Sequence, residues 1–241
     1  DDAQPTIDAW NEAVAQRHMF IFEHRLRCAD GQWRRFFIRA VPMFDGDGRL
    51  REWVGIHTDV TLQREQEEAL AANEMRLRFL DDLSREIADA NDADAVMAIT
   101  TRMVATHLGL SNCAYADMDP DEDGFTIRGN WTAPGATGIV GRYRLADFGQ
   151  LALRKLRAGL PLVLHDTAAQ LPDHEAATFL DLGLAATSCM PLIKEGKLTA
   201  LMAIHDKSPR VWKTEELVLL AEVTERSWAH IERVRSEAAA R

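Results

Sequence analysis

Thr187, Cys189 and His205 carry a hydroxyl, a thiol and an imidazole, groups that could do chemistry or bind a small molecule. Thr187 and Cys189 stand two apart in a strand-like run, so they share one face of it. His205 closes the next such run. A neutral imidazole offers one donor and one acceptor, which suits a heterocycle. Each residue also has a plainer reading. His205 fits a core or sheet-edge histidine with one satisfied nitrogen, and Cys189, like Cys113, fits a small core hydrophobe. His165-Asp166 has the look of a base with its orienter, but no nucleophile or oxyanion donor pattern accompanies it. Eight histidines and three cysteines show no short metal-ligand spacing, so no zinc site is expected. There is no Walker loop, no dinucleotide glycine fingerprint and no kinase phospho-acceptor segment. Gly135 and Gly138 are wrongly spaced for phosphate. No enzyme is expected within these residues.

Composition narrows the partners. The 241 residues carry a net charge of −10, which argues against a nucleic-acid footprint and against an anionic membrane surface. No apolar run approaches the roughly 18–20 residues of a spanning helix. Cys28, Cys113 and Cys189 are odd in number and far apart, as expected for reduced thiols in a cytoplasmic protein. The first residue is Asp1 rather than Met, so a fragment is expected.

The elements that must position these residues read as follows. Residues 5–19 carry Ile7, Trp10 and Val14 at helical spacing. Three strand runs follow, Phe20 to Ala29, Gln32 to Phe44 and Arg49 to Val60, joined by turns at Asp30-Gly31 and Asp45-Gly46-Asp47-Gly48. A sheet of this size should want further strands. From Thr61 the period changes to seven: Leu70, Asn73, Leu77, Leu80, Ser84 and Ile87 form an a/d repeat, with Asn73 able to fix register. This is either a coiled coil or one amphipathic helix packed on its own domain. Asp92 caps a helix whose buried face holds Val96, Ile99, Met103, Val104 and Leu108. Strands are expected at Leu110 to Asp117, Phe125 to Thr132 and Leu162 to His165, and helices from Asp147 to Ala158 and over 173–182. Ala186 to Ile193 and Leu198 to His205 form a hairpin around Lys194-Glu195-Gly196-Lys197. Thr214 caps a long final helix in which Leu217, Leu220, Thr224, Ile231 and Val234 keep near-heptad spacing. The expected class is α+β: a truncated antiparallel sheet, a linker helix, then an antiparallel sheet flanked by terminal helices.

Residues 1–61 resemble the C-terminal half of a PAS domain with its PAC segment. The matching residues are Phe22-Glu-His-Arg-Leu-Arg-Cys-Ala-Asp-Gly31, Trp33-Arg34, Pro42, Asp47-Gly48, Trp53-Val-Gly55 and Asp59-Val60-Thr61. The resemblance implies that Asp59 and Thr61 couple the sheet to the following helix. Residues 62–90 are then a coiled-coil-like linker, 91–235 resemble a GAF domain, and 236–241 begin an output helix. The GAF register rests on Leu182-Gly183, Pro191-Leu192-Ile193, Lys197-Leu198, Ala203-Ile204-His205 and Trp212-Lys-Thr-Glu-Glu216-Leu217. The variety is similar to GAF modules of bacterial sensor histidine kinases and, more distantly, of phytochromes. That likeness implies a pocket bordered by Thr187, Cys189 and His205, with Tyr143, Asp147 and Phe148 along a second wall. Asp147 either faces a ligand there or caps its helix. No cysteine lies in 165–183, so a covalent bilin is not expected; the identity of any cofactor stays open.

The resemblance implies a sensory input region, most simply of a histidine kinase. A small ligand or partner would act through the GAF pocket, and the signal would pass along helices of a homodimer. Leu70, Asn73, Leu77, Leu80 and Ile87 would form one part of the helix seam and Leu217, Leu220 and Ile231 the other. Two alternatives stand beside it. One is a ligand-free spacer whose pocket is filled by Trp131, Tyr143, Phe148 and Met202. The other is the input region of a cyclic-dinucleotide enzyme.

Overall fold

Asp-Gly turns and alternating apolar residues build the first part of the chain as expected. A computed structural model describes residues 2–240. It divides into two units, with the boundary between Met75 and Arg76. In the first, helix α1 (Ala3–Gln16) precedes strands β1 (Phe20–Arg27), β2 (Trp33–Phe44) and β3 (Leu50–Asp59). The strands pair antiparallel in the order β1-β2-β3. Carboxylates shape both turns: Asp30 accepts from the Gln32 amide at 2.9 Å, and Asp45 from the Arg49 amide at 2.8 Å. Ala13, Phe20, Ile38 and Ala40 form a small buried core, with Trp10, Phe22 and Trp53 packed at its margin.

Helix α2 (Thr61–Ala88) spans the boundary between the units. The second unit continues with α3 (Ala93–Leu108), β4 (Asn112–Met118), β5 (Gly124–Thr132), β6 (Gly141–Arg144), a 3-10 turn (Leu145–Phe148) and α4 (Gly149–Arg157). Then come β7 (Leu162–Leu164), α5 (Thr167–Gln170), α6 (Asp173–Asp181), β8 (Ala186–Lys194), β9 (Lys197–Asp206) and α7 (Thr214–Ala239). Six strands make one antiparallel sheet in the order β6-β5-β4-β9-β8-β7. The chain is therefore α+β.

Strand alternation divides the second core into two layers. Cys113, Tyr115, Met190, Met202 and Ile204 face a helical layer made by the second half of α2, α3 and α7. Ala114, Ala116, Cys189 and Leu201 face the opposite side, towards Phe148, Ala152, Leu156 and Phe179. Gly129 lets α3 approach β5: a Cβ there would lie 2.5 Å from Met97 Cβ. Asp92 accepts from the Ala95 amide at 2.7 Å and caps α3, as its position in the sequence predicts.

Several expectations need correction. Of the expected seam, Leu80, Ile87, Leu220 and Ile231 are buried in the core of their own unit. The exposed seam leucines are Leu70 and Leu77, at 60% and 50%, while Leu217 packs partly against that core. The reason is spacing: Phe79, Leu80, Leu83 and Ile87 make a stripe wide enough for globular packing, not a bare a/d line. Thr214 is the first helical residue of α7 rather than its cap. The Lys213 amide donates to Glu216 Oε2 at 2.8 Å, so Glu216 does the capping. Trp131 and Met202 lie on the helical-layer side of the sheet, so neither fills the pocket.

Candidate functional site

The alternation that sends Thr187 and Cys189 to one face of β8 brings them beside β9. Thr187 pairs in register with His205 and Cys189 with Ala203. The three side chains meet at a cavity of about 60 Å³. Ala114 and Ala116 of β4 and Phe125 and Ile127 of β5 extend this wall, and Phe148, Leu156 and Phe179 close it from the other side. The small alanines leave space beneath the sheet, and the aromatic rings fill most of it. Phe148 meets Phe179 edge-on at 5.0 Å and Phe125 at 5.8 Å.

The polar content of this wall is a single pair. Thr187 Oγ1 lies 3.0 Å from His205 Nδ1. Both residues are buried, at 1% and 6% exposure. Burial pulls the His205 pKa down to about 4, so the ring is neutral near neutral pH. Nδ1 and the hydroxyl satisfy one another. His205 also lines the cavity, and with Nδ1 engaged by Thr187 its Nε2 is the ring nitrogen left to meet a ligand. Burial likewise pushes Cys189 up to about 12 and raises Cys113, so both thiols stay protonated. A redox or nucleophilic part for Cys189 has no electrostatic support.

Tyr143 and Asp147 stand apart from the cavity lining. Tyr143 packs behind it on Phe125 and Phe148, and its hydroxyl donates to the Ile139 carbonyl at 3.0 Å. Asp147 is exposed within the 3-10 turn, and its backbone carbonyl accepts from Thr178 Oγ1 at 2.6 Å. It neither faces the cavity nor caps α4. Gly149, at φ +91, stands between the turn and α4 and makes room for Glu175, whose carboxylate a Cβ there would strike. Sequence reasoning missed Phe179 and the two alanines of β4. Alternation along Leu110 to Asp117 carries the signal for Ala114 and Ala116, whereas nothing local marks Phe179.

At the end of the first unit, Asp59 Oδ1 accepts from both the amide and the hydroxyl of Thr61, at 3.0 and 2.6 Å. These bonds hold the Asp59 carboxyl below its usual range. Thr61 Oγ1 in turn accepts from the Arg35 amide of β2 at 2.9 Å. The start of α2 is thus tied to the middle strand. Two ion pairs add to the tie: Arg64 with Glu23 at 2.7 Å and Arg35 with Glu68 at 2.6 Å. Among the described residues no cluster of three or more His, Cys, Asp or Glu is placed to hold a metal. None of the described helices is long and apolar enough to cross a membrane.

An antiparallel hairpin sheet leading into a helix is followed by a six-stranded sheet with a small cavity on one face and its terminal helices on the other, the layout of two tandem modules. The chain belongs to the GAF domain family, whose model matches residues 92–231, and residues 1–57 match the PAS fold. The peroxide stress-activated histidine kinase mak1 of Schizosaccharomyces pombe is 29% identical over 117 residues, covering 46% of this chain and 7% of the kinase. The chain thus spans a small fraction of that relative's length. The phycoerythrobilin-bound GAF domain of a cyanobacterial phytochrome superposes with a TM-score of 0.60 at 13% identity, covering 68% of this chain and 97% of that one. The free methionine-R-sulfoxide reductase of Neisseria meningitidis, in complex with its substrate, gives 0.55 at 16%, covering 67% and 91%. These two likenesses concern the fold alone. Together the modules and the kinase relative make this a signalling input region.

Proposed function

We propose that the GAF unit senses a small, largely apolar ligand in the cavity under β4, β9 and β8, and passes its state to α7 for a histidine kinase output. The observation that carries this is the buried Thr187–His205 pair set in an otherwise apolar wall. Burying an imidazole costs a spacer core its hydration unless its polar atoms find partners. A ligand site needs such a group to fix orientation. The volume supports a small ligand. About 60 Å³ is far below the roughly 300–1,000 Å³ of sites for drug-sized ligands. A bilin is far larger than this cavity. A molecule of a few heavy atoms, with one polar group for His205 Nε2, fits it.

The small volume and the close packing of Phe125, Phe148 and Phe179 favour a second reading, in which the module is a ligand-free spacer. The two readings separate in a native mass spectrum and absorbance spectrum of protein purified from its own host. An added noncovalent mass that disappears in a His205→Leu variant of unchanged fold supports the sensor. A bare polypeptide mass, together with no saturable binding of imidazole or pyrrole as probes, supports the spacer. Dimerisation through the exposed Leu70 and Leu77 of α2 is part of the same proposal, since two chains are needed to set helices side by side along a common axis.

A further inference from the structure

The residue after the cavity histidine leads directly to the output helix. His205 ends the ligand wall, and Asp206 follows it on β9. Asp206 Oδ1 accepts from Ser111 Oγ and from the Ser208 amide, both at 3.2 Å. Its other oxygen faces Arg210 Nη1 at 3.4 Å. Arg210 Nη2 donates to Glu216 Oε1 at 2.6 Å and to the Leu108 carbonyl at 2.8 Å, while Nη1 donates to the Gly109 carbonyl at 3.2 Å. The guanidinium also lies 4.9 Å over the Trp212 ring. Glu216 is the residue whose other oxygen caps α7. Trp212 is held in turn: its amide donates to His165 Nδ1 at 3.1 Å and its indole to the Leu164 carbonyl at 3.0 Å. One partly buried arginine, with 23% of its side chain exposed, therefore fastens the end of β9, the end of α3 and the first turn of α7.

We propose that Arg210 is the positioning residue through which the state of the cavity reaches α7. It rests on the sensor reading above, and names the route of its regulation. A shift of His205, as its Nε2 gains or loses a partner, moves Asp206 on the same strand. Asp206 shares one guanidinium with Glu216 and with the Leu108 and Gly109 carbonyls. Any change in how that fork is shared alters the cap on α7. Only a planar group with five donors can hold carboxylates and carbonyls on several sides at once. A lysine keeps the charge and loses the fork.

Hydrogen exchange on the full chain tests this without knowledge of the ligand. Thr187→Val removes the partner of His205 Nδ1 while preserving shape. In the wild-type background it should change exchange of the α7 amides from Glu216 to Thr224 by roughly threefold or more, the size expected of coupled neighbours. In an Arg210→Lys background that change should shrink to within about twofold, the range of independent sites. Asp206→Asn, which keeps acceptors for Ser111 and Ser208, should suppress it in the same way. An equal Thr187→Val effect in every background, or none in the wild type, overturns the proposal. Probe binding to the cavity is read separately in the same proteins, so loss of the ligand and loss of the relay give different patterns.

Discussion

His205 is a base kept dry, and its titration has a definite sign. In the unfolded chain its pKa is the usual value of about 6.5, and in the folded chain burial lowers it to about 4. Between these values the unfolded state takes up a proton that the folded state refuses. The contribution is therefore full above pH 6.5 and is lost as pH falls toward 4. Its size is on the order of 3 kcal/mol at most. Urea unfolding at pH 7 and pH 4.5 should show a larger loss for the wild type than for His205→Gln, and equal losses would mean that the imidazole is not buried. Thiol accessibility is a second check. Cys113 and Cys189 are buried and Cys28 is half-buried. A thiol reagent should modify Cys28 alone in the native protein and all three cysteines in urea. At this scale the strand period made Thr187, Cys189 and His205 legible as neighbours. It could not show that Asp147 turns outward, because that depends on the φ of Gly149 and the space taken by Glu175.

Elements with strong local signals are where the sequence predicts them. Asp-Gly turns set the first hairpins, Asp92 caps α3, and Lys194-Glu195-Gly196-Lys197 turns β8 into β9, with Gly196 at φ +78. β6 and α5 escape a pattern reading because four residues are too few to count a period. The heptad of α2 misleads for a different reason. Seven-residue and 3.6-residue periods differ by only about 20° per heptad, so a short stripe that packs on its own domain can look like a coiled-coil seam. Two consequences belong here. Glu216→Ala removes both the α7 cap and the Arg210 partner, and should cost at least about 1 kcal/mol, seen as a lower urea midpoint for the second unit. Thr61→Val breaks the tie between Asp59, α2 and the Arg35 amide of β2. It should raise exchange in the first turn of α2 and leave α7 unchanged; a uniform response would show that the tie is not local.

At the scale of the whole chain, the larger of the two sheets carries the cavity on one face and α7 on the other. Strand β4 shows it most simply: Ala114 and Ala116 line the cavity, while Tyr115 stacks on Trp228 of α7 at 6.2 Å and Asp117 pairs with Arg235 at 2.8 Å. Under the proposed sensor function, a ligand that repositions the sheet would change these contacts of α7. If the chain dimerises through α2, Leu70→Glu with Leu77→Glu should give a folded monomer in analytical ultracentrifugation. Leu220→Ala, fully buried, should instead destabilise the second unit by about 2–5 kcal/mol without changing the association of the folded protein. The GAF architecture was legible because its layers follow from strand alternation and helix stripes. The size of the cavity was not, since about 60 Å³ is what remains after distant aromatic residues have packed. The most direct test of a sensing cavity is a histidine-selective nitrogen NMR titration of the full chain with imidazole and pyrrole. A saturable shift of His205 Nε2, with the ring still neutral and Nδ1 still held by Thr187, is the predicted result. A His205 signal unmoved at every probe concentration would contradict it and leave the spacer reading in its place.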